Sequence, residues 1–500
     1  MIFGRMNSAQ DLRLPNGGEI DRTKILSFTF DGTRLTGYAG DTLASALMAN
    51  GVRVVGRSFK YHRPRGIYSD GPEEPNALVH LRTGARREPN TRATMIELYD
   101  GLVATSQNAW PSVNFDVMEV NDLFAPFLVA GFYYKTFMGA PGWHFYEKRI
   151  RKAAGMGAAQ LDRDPDAYET ANAHCDVLVI GGGAAGISAA LSAGRSGARV
   201  VLLEERDRIG GKLRGERESI DGAPALEWIA AAEAELASLP EIRVLTRTTG
   251  FGYYDDNMIG ALERVSDHLV EPDAHSVRQR MWRIRARRVI LATGAIERPL
   301  VFGGNDRPGV MLAGAARSAV NRFAVRPGRR AVVFANNDDG YRTALDLLAG
   351  GVEISCLVDI RASGHGAWRT KAEQAGIDVR VGSAVVNVHG RNEIIGCDIA
   401  PLDAQGRLAG APIFMACDLV ATSGGWSPAL HLHSQAGGKA EWDPAIAAFV
   451  PGAVRQAHVS VGAAAGRFSL VSCLTDGMDA GSAAAEALGF AQGSRAEPPA

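Results

Sequence analysis

The residues of this chain best suited to chemistry are three glycines and an acid. Gly181, Gly183 and Gly186 fall in Gly181-Gly182-Gly183-Ala184-Ala185-Gly186, which matches G-x-G-x-x-G, and Glu204 follows at roughly the 20-residue interval expected for this motif. The chemistry is that of holding a dinucleotide. Gly181 permits a tight turn, Gly183 lets the backbone approach a pyrophosphate, and Gly186 lets a helix pack on a strand. A helix starting there offers its free N–H groups and positive end to the phosphates. An acid at position 204 accepts from a ribose hydroxyl and favours a free 2′-hydroxyl over a 2′-phosphate, while Arg206 keeps the phosphate alternative open.

These residues need a strand, a turn, a helix and a second strand in that order. Val177–Ile180 is a short apolar run suited to a strand buried on both faces. Ile187 to about Ser196 reads as a small-residue helix, and Val200–Leu203 as the second strand. Beyond it, the pair Gly210-Gly211 ahead of Lys212 lets a loop pass close to a ligand. Leu226–Leu239 reads as helix and is followed by strand-like segments around Gly250. Val289–Leu291 then runs into Ala292-Thr293-Gly294, which returns the chain to the first sheet. A second strand–turn–helix–strand unit begins at Gly328, but Asn336-Asn337-Asp338-Asp339-Gly340 replaces the glycine fingerprint. Acids at a helix N-terminus favour the helix and repel a pyrophosphate, so this unit reads as a degenerate nucleotide fold. The chain is expected to rejoin the first domain at Thr422-Ser423-Gly424-Gly425. In the closing segment, Gly462-Ala463 stands where FAD-binding proteins of this plan carry a Gly-Asp pair, which argues against ordinary FAD binding.

Ahead of these units, residues 24–55 read as a hairpin turning at Asp31-Gly32, then a helix capped at Asp41-Thr42 and closed by Gly51. Hairpin followed by helix opens the β-grasp fold of plant-type ferredoxins, whose cluster loop carries C-x4-C-x2-C and a later fourth cysteine. Counted from Ser69, that spacing lands on Glu74 and Ala77, with the fourth position near Thr94. The first cysteine of the chain is Cys175, so thiolate ligation of an iron–sulfur cluster is excluded for this domain. A docking or structural role remains.

The expected fold class is α/β: two Rossmann-like dinucleotide-binding domains preceded by a cluster-less β-grasp domain. The boundaries are 1–115 for the β-grasp domain and 116–172 for a helical connector. The first dinucleotide domain takes 173–327 and 418–490, the degenerate one 328–417, and a tail 491–500. The balance of 54 basic and 55 acidic residues argues against nucleic acid or an anionic membrane as the main partner. Arg283, Arg285 and Arg287 alternate as on the wet face of a strand. The five cysteines are isolated, with no C-x-x-C, which excludes a thioredoxin-reductase-type dithiol and fits a reducing cytoplasm. The N-terminus shows no apolar signal region, so no secretory leader is expected. The apolar stretch Leu123–Met138 is short and contains Lys135, so it is expected to pack or to face a partner.

These segments together resemble the α subunit of heterotetrameric sarcosine oxidase. The resemblance is carried by FDGTRLTGYAGDTLASALMANGV, GRSFKYHRPRGIYSDGPEEPNALVHL, FYYKTF, VLVIGGGAAGISAA, VILATGAIERPLVFGGNDRPGVM and TSGGWSPALHLHSQAGGK, within a span from residue 14 to 490. It implies NAD⁺ at the first dinucleotide site, held by Gly181, Gly183, Ala185, Gly186, Glu204, Glu205, Arg206, Gly211 and Lys212. Further contacts are implied near Gly250, Ala292, Thr293, Gly294, Gly425, Leu474 and Thr475. It also implies a β subunit carrying FAD, FMN at the interface between the two chains, further small subunits, and oxidation of sarcosine to glycine, a one-carbon unit and hydrogen peroxide. Family members continue into a folate-binding aminomethyltransferase-like domain. This chain stops at Ala500, so it is read either as a fragment or as a chain whose folate domain is absent or supplied separately.

No catalytic constellation can be nominated from the sequence. His62, His144, His365, His431 and His433 are read as surface or packing residues, and His431 and His433 alternate as on an extended segment. The chemistry is therefore expected in a partner chain. Two alternatives stay open. One is a subunit of a related opine or D-amino-acid dehydrogenase. The other is a self-sufficient reductase with FAD in this chain and NAD(P)H in the second fold.

Overall fold

The computed structural model describes residues 10–491 apart from 129–130, 132–138, 140–141, 155–156, 158, 271, 274 and 364–365. The motif FYYKTF, most of the aromatic stretch ending at Met138, and His365 therefore lie outside the described residues. The chain divides into two units, 1–165 with 299–425, and 166–298 with 426–500.

In the first unit, strands β1 (Asp21–Phe30) and β2 (Thr33–Ala39) pair with Phe30 opposite Thr33. Asp31 (φ 47°) and Gly32 (φ 77°) form the two-residue turn that this register requires. Helix α1 (Leu43–Ala49) starts at a capping box. Thr42 Oγ1 accepts from Ser45 N (3.1 Å), and Ser45 Oγ accepts from Thr42 N (2.9 Å). Such a cap contributes about 1 kcal/mol. Buried Asp41 ties this corner together, accepting from Ser45 Oγ (2.6 Å) and from both terminal nitrogens of Arg13 (3.0 and 2.6 Å). Strands β3 (Leu78–Leu81), β4 (Glu88–Arg92) and β5 (Leu102–Ser106) complete a sheet of order β2-β1-β5-β3-β4. The hairpin and capped helix form where the sequence places them. The connector holds a 3-10 segment, Val117–Phe124, and helix α2 (Trp143–Ala154).

The second unit begins earlier than its apolar run suggests. Strand β6 spans Tyr168–Ile180, because its polar half, Tyr168–His174, pairs with Gln279–Arg285. Helix α3 (Ala184–Arg195), β7 (Val200–Leu203), α4 (Ala225–Ser238) and β8 (Ile242–Leu245) follow, then β9 (Thr248–Tyr254), β10 (Met258–Arg264) and β11 (Gln279–Leu291). The strand order is β8-β7-β6-β11-β10-β9. On β11, Arg283, Arg285 and Arg287 lie on the exposed face while Trp282, Ile284 and Ala286 are buried.

The degenerate fold takes more of the chain than the local pattern assigns to it. In the first unit, β12 (Val310–Leu312) and helix α5 (Ala313–Asn321) precede β13 (Arg330–Ala335), α6 (Asp339–Ala349), β14 (Glu353–Asp359) and β15 (Val379–Val381). Strands β16 (Ser383–Gly390), β17 (Ile394–Pro401) and β18 (Ile413–Ala416) form an antiparallel three-stranded sheet. Strand β19 (Leu419–Ser423), expected to rejoin the first sheet, lies between β12 and β13, with Ala331 opposite Leu419. The order is β12-β19-β13-β14-β15, all parallel. The return to the other sheet comes later, where β20 (His458–Ser460) pairs with Val289–Leu291. Helix α7 (Leu470–Glu486) closes that unit against α3.

Candidate functional site

The site is the turn between β6 and α3. Gly181 has φ 105°, and a Cβ there would meet Ala292 O at 2.3 Å. A Cβ on Gly186 would sit 1.8 Å from Gly181 O, so the helix is pressed onto its own turn. Gly183, the N-cap of α3, differs: a Cβ there meets nothing within 4 Å, and no side chain caps the helix. The helix thus starts uncapped by any side chain, with open space beside the Gly183 Cα. This is the geometry a pyrophosphate needs.

Glu204 stands at the end of β7, 7% exposed. Its carboxylate accepts from Gly182 N (2.8 Å) on one oxygen and from Arg206 N (2.8 Å) on the other. Burial pushes this carboxyl above its ordinary range, and those two N–H groups pull it back. The two bonds fix its orientation, and a carboxylate with about four lone-pair positions keeps further acceptor capacity beyond them. Glu205 is brought beside the Gly250 strand, where Thr249 Oγ1 donates to Glu205 Oε1 (3.2 Å) and Gly250 lies over Ile180.

The second glycine pair packs against the same turn. Gly210 N donates to Gly182 O (2.7 Å), and a Cβ on Gly211 (φ 54°) would lie 3.0 Å from Gly183 Cα. Next to it, Lys212 Nζ rests 3.0 Å from the centroid of Trp426, a cation–π contact. Sequence reasoning misses the role of Trp426, although this residue directly follows the TSGG segment. Ala292 N donates to Ile180 O (2.8 Å), and Gly294 takes φ 75°. Thr293 Oγ1 donates to Ala429 O (3.0 Å).

Helix α7 approaches α3 closely because Gly477 and Gly481 lie over Ala185 O and Ala189 O, where Cβ atoms would come to 2.0 and 2.3 Å. Leu474 is buried among Leu213, Ile220, Ala225 and Ile229, so its side chain is packed in the core; Thr475 is partly exposed. Gly425 (φ 89°) is the last residue of the other unit, just beyond β19. One correction concerns the acid missing after Gly462. Asp476, in the second turn of α7, places Oδ2 3.2 Å from Gly462 N and pairs its other oxygen with Arg467. An acid thus reaches this position from the helix that follows, 14 residues on, and Ala463 alone no longer argues against FAD.

The turn of the degenerate fold is filled by its own side chains. Arg361 donates from Nη2 to Asp359 (2.8 Å) and Asp338 (2.9 Å), and Tyr341 OH donates to Asp359 Oδ2 (2.8 Å). Asn337 Nδ2 donates to Ser423 O (3.1 Å), tying the turn to β19. His431 and His433 lie on a short helix, His431–Gln435, and not on an extended segment. His433 turns inward to buried His458 (3.1 Å between ring nitrogens). Among the described residues, no group of three His, Cys, Asp or Glu is placed to hold a metal ion, and no helix is long and apolar enough to cross a membrane.

In the β-grasp domain the four positions of the cluster spacing are all buried: Ser69 and Glu74 at 1%, Ala77 at 0% and Thr94 at 4% exposure. Glu74 fills the centre of the loop. Its Oε2 accepts from Tyr68 N (2.9 Å) and Ser69 N (2.6 Å), and its Oε1 from Asn76 N (2.7 Å) and Ala77 N (2.9 Å). A hydroxyl, a carboxylate, a methyl and a second hydroxyl do not make the four-thiolate set that a [2Fe–2S] cluster requires.

Comparison with known proteins finds relatives for both parts of the chain. A family model described as "2Fe-2S iron-sulfur cluster binding domain" matches residues 23–109, and one described as "FAD dependent oxidoreductase" matches residues 176–234. The alpha subunit of sarcosine oxidase from Rhizobium meliloti (strain 1021) is 50% identical over 489 residues, which is 96% of this chain and 47% of that protein. An opine oxidase subunit of Agrobacterium tumefaciens (strain Ach5) is 32% identical over 201 residues, 38% of this chain and 37% of that protein. Among solved structures, L-proline dehydrogenase from P. horikoshii shares the fold, with a TM-score of 0.64 at 20% identity, over 97% of this chain and 77% of that one. The chain thus spans about half the length of the sarcosine oxidase polypeptide it matches.

Proposed function

The chain is homologous, along nearly its whole length, to sarcosine oxidase α subunits, and from that premise we propose that it is the nucleotide-binding subunit of a multi-subunit amine oxidase. In this reading a small secondary amine such as sarcosine loses its N-methyl group, giving glycine, a one-carbon unit and hydrogen peroxide. That chemistry takes place at the FAD of a β subunit, with FMN at the interface between the two chains. This chain holds NAD⁺. The α3 N-terminus takes the pyrophosphate, Glu204 a ribose hydroxyl, and Glu205, Arg206 and Lys212 the rest of the nucleotide's polar groups.

The observation that carries the reading is the open N-terminus of α3 at Gly183, with the fixed Glu204 carboxylate across from it. Partner docking is supported by the segment after the β-grasp domain. There Asp116, Glu119 and Asp122 bind His62, Arg57 and Arg63 on the inner side, while Leu123 and Phe127, each 79% exposed, face outward.

FAD in place of NAD⁺ is the second reading, favoured by the matched family model and by Asp476 at Gly462. The test is to denature the purified chain and identify the released nucleotide. NAD⁺ from a colourless protein supports the first reading, whereas FAD from a yellow one replaces it. The alternative of an opine-type dehydrogenase subunit rests on the shorter match to the opine oxidase chain. It is separated by assaying sarcosine against opines with the partner subunit present.

A further inference from the structure

We infer that the Glu74 carboxylate is the structural substitute for the iron–sulfur cluster, the anion on which the 66–78 loop of the N-terminal domain is folded. A cluster and a carboxylate make the same demand on such a loop, because both are anionic and both are stabilised by N–H groups turned inward. Here four backbone N–H groups converge on the two oxygens of Glu74, and Ser69 Oγ adds a fifth contact at 3.3 Å. The partners are backbone dipoles and a hydroxyl, not a cation.

The position at the fourth ligand site closes the same loop. Thr94 Oγ1 donates to Gly71 O (2.8 Å), and Glu74 N donates to that same carbonyl (3.2 Å). Ala93 N donates to Ala77 O (2.9 Å), joining the segment that ends in Thr94 to the loop. A buried carboxylate without such donors would be strongly disfavoured, so the inward N–H groups and Glu74 require each other. The domain then keeps the shape of an electron carrier while its centre is redox-inert. This inference is independent of which nucleotide the other unit holds.

The experiment is amide exchange on the full chain, wild type and Glu74→Gln. The glutamine keeps the size of the side chain but turns an NH2 group onto one pair of donors. In the wild type, the Tyr68, Ser69, Asn76 and Ala77 amides are expected to exchange about 100-fold or more slower than free peptide. In Glu74→Gln at least one pair should exchange about tenfold faster than in the wild type, while the amides of β1 and β5 stay unchanged. Unprotected amides in the wild type would overturn the inference without any variant, and so would wild-type rates in Glu74→Gln. Anaerobic treatment of the wild type with ferrous iron and sulfide gives the third readout. Retention of no iron after desalting is expected, and stoichiometric iron with a ferredoxin-like visible spectrum would overturn the assignment.

Discussion

At the scale of single residues, the three motif glycines serve three different purposes, and substitution separates them. Gly183→Ala adds a methyl group where the protein has none within reach. The fold should survive, and bound dinucleotide should fall by about tenfold or more, because the methyl occupies the phosphate's approach. Gly186→Ala drives a Cβ onto Gly181 O and should cost stability by about 1–3 kcal/mol or more, read as a lowered melting temperature. Equal effects of the two on stability would refute this division. The thiols are not reactive groups at this site: burial pushes Cys175 up to about 12 and raises Cys473, so neither is a thiolate at neutral pH.

At the scale of elements, the exposed apolar segment and the buried histidine pair each make a prediction. Replacing Leu123 and Phe127 together by serine removes apolar surface that is already in water. Melting of the isolated chain should change little, and co-purification with the proposed flavin-carrying partner should be lost; full retention of the complex would exclude this segment as the contact. The histidines act on stability. Burial, and then the charge of His433, lower the pKa of His458 to about 4. Unfolded, it titrates near its ordinary value of about 6.5. Between these values the unfolded chain binds the extra proton, so stability falls as pH drops through the window and is unaffected by this group above it. Urea midpoints measured from pH 7.5 to 4.5 should show the slope, and His458→Asn should flatten it.

At the scale of the whole molecule, two nucleotide folds are present and one is open for use. In the other, Arg361, Asp338, Asp359 and Tyr341 satisfy one another at the turn where phosphates would sit. The purified chain should therefore contain one dinucleotide, and two per chain by quantitation would contradict this. Much of the architecture was legible locally. The Asp31-Gly32 turn, the Thr42 cap and the strand–glycine–helix–acid order depend on interactions a few residues apart, and these specify themselves. What the sequence could not assign were the partners of similar apolar strands. Val289–Leu291 and Leu419–Ser423 have the same local pattern, yet they join different sheets, because membership depends on long-range pairing and on which core the strand completes. The same holds at the sites. By itself the sequence determined that no cysteine stands before Cys175 to ligate a cluster and that a G-x-G-x-x-G turn lies at Gly181–Gly186. Only the tertiary structure showed that the Glu74 carboxylate turns inward onto four backbone N–H groups of its own loop, that Asp476 folds back beside Gly462, and that Trp426 holds Lys212, since side-chain direction and long-range pairing are set by packing and not by spacing.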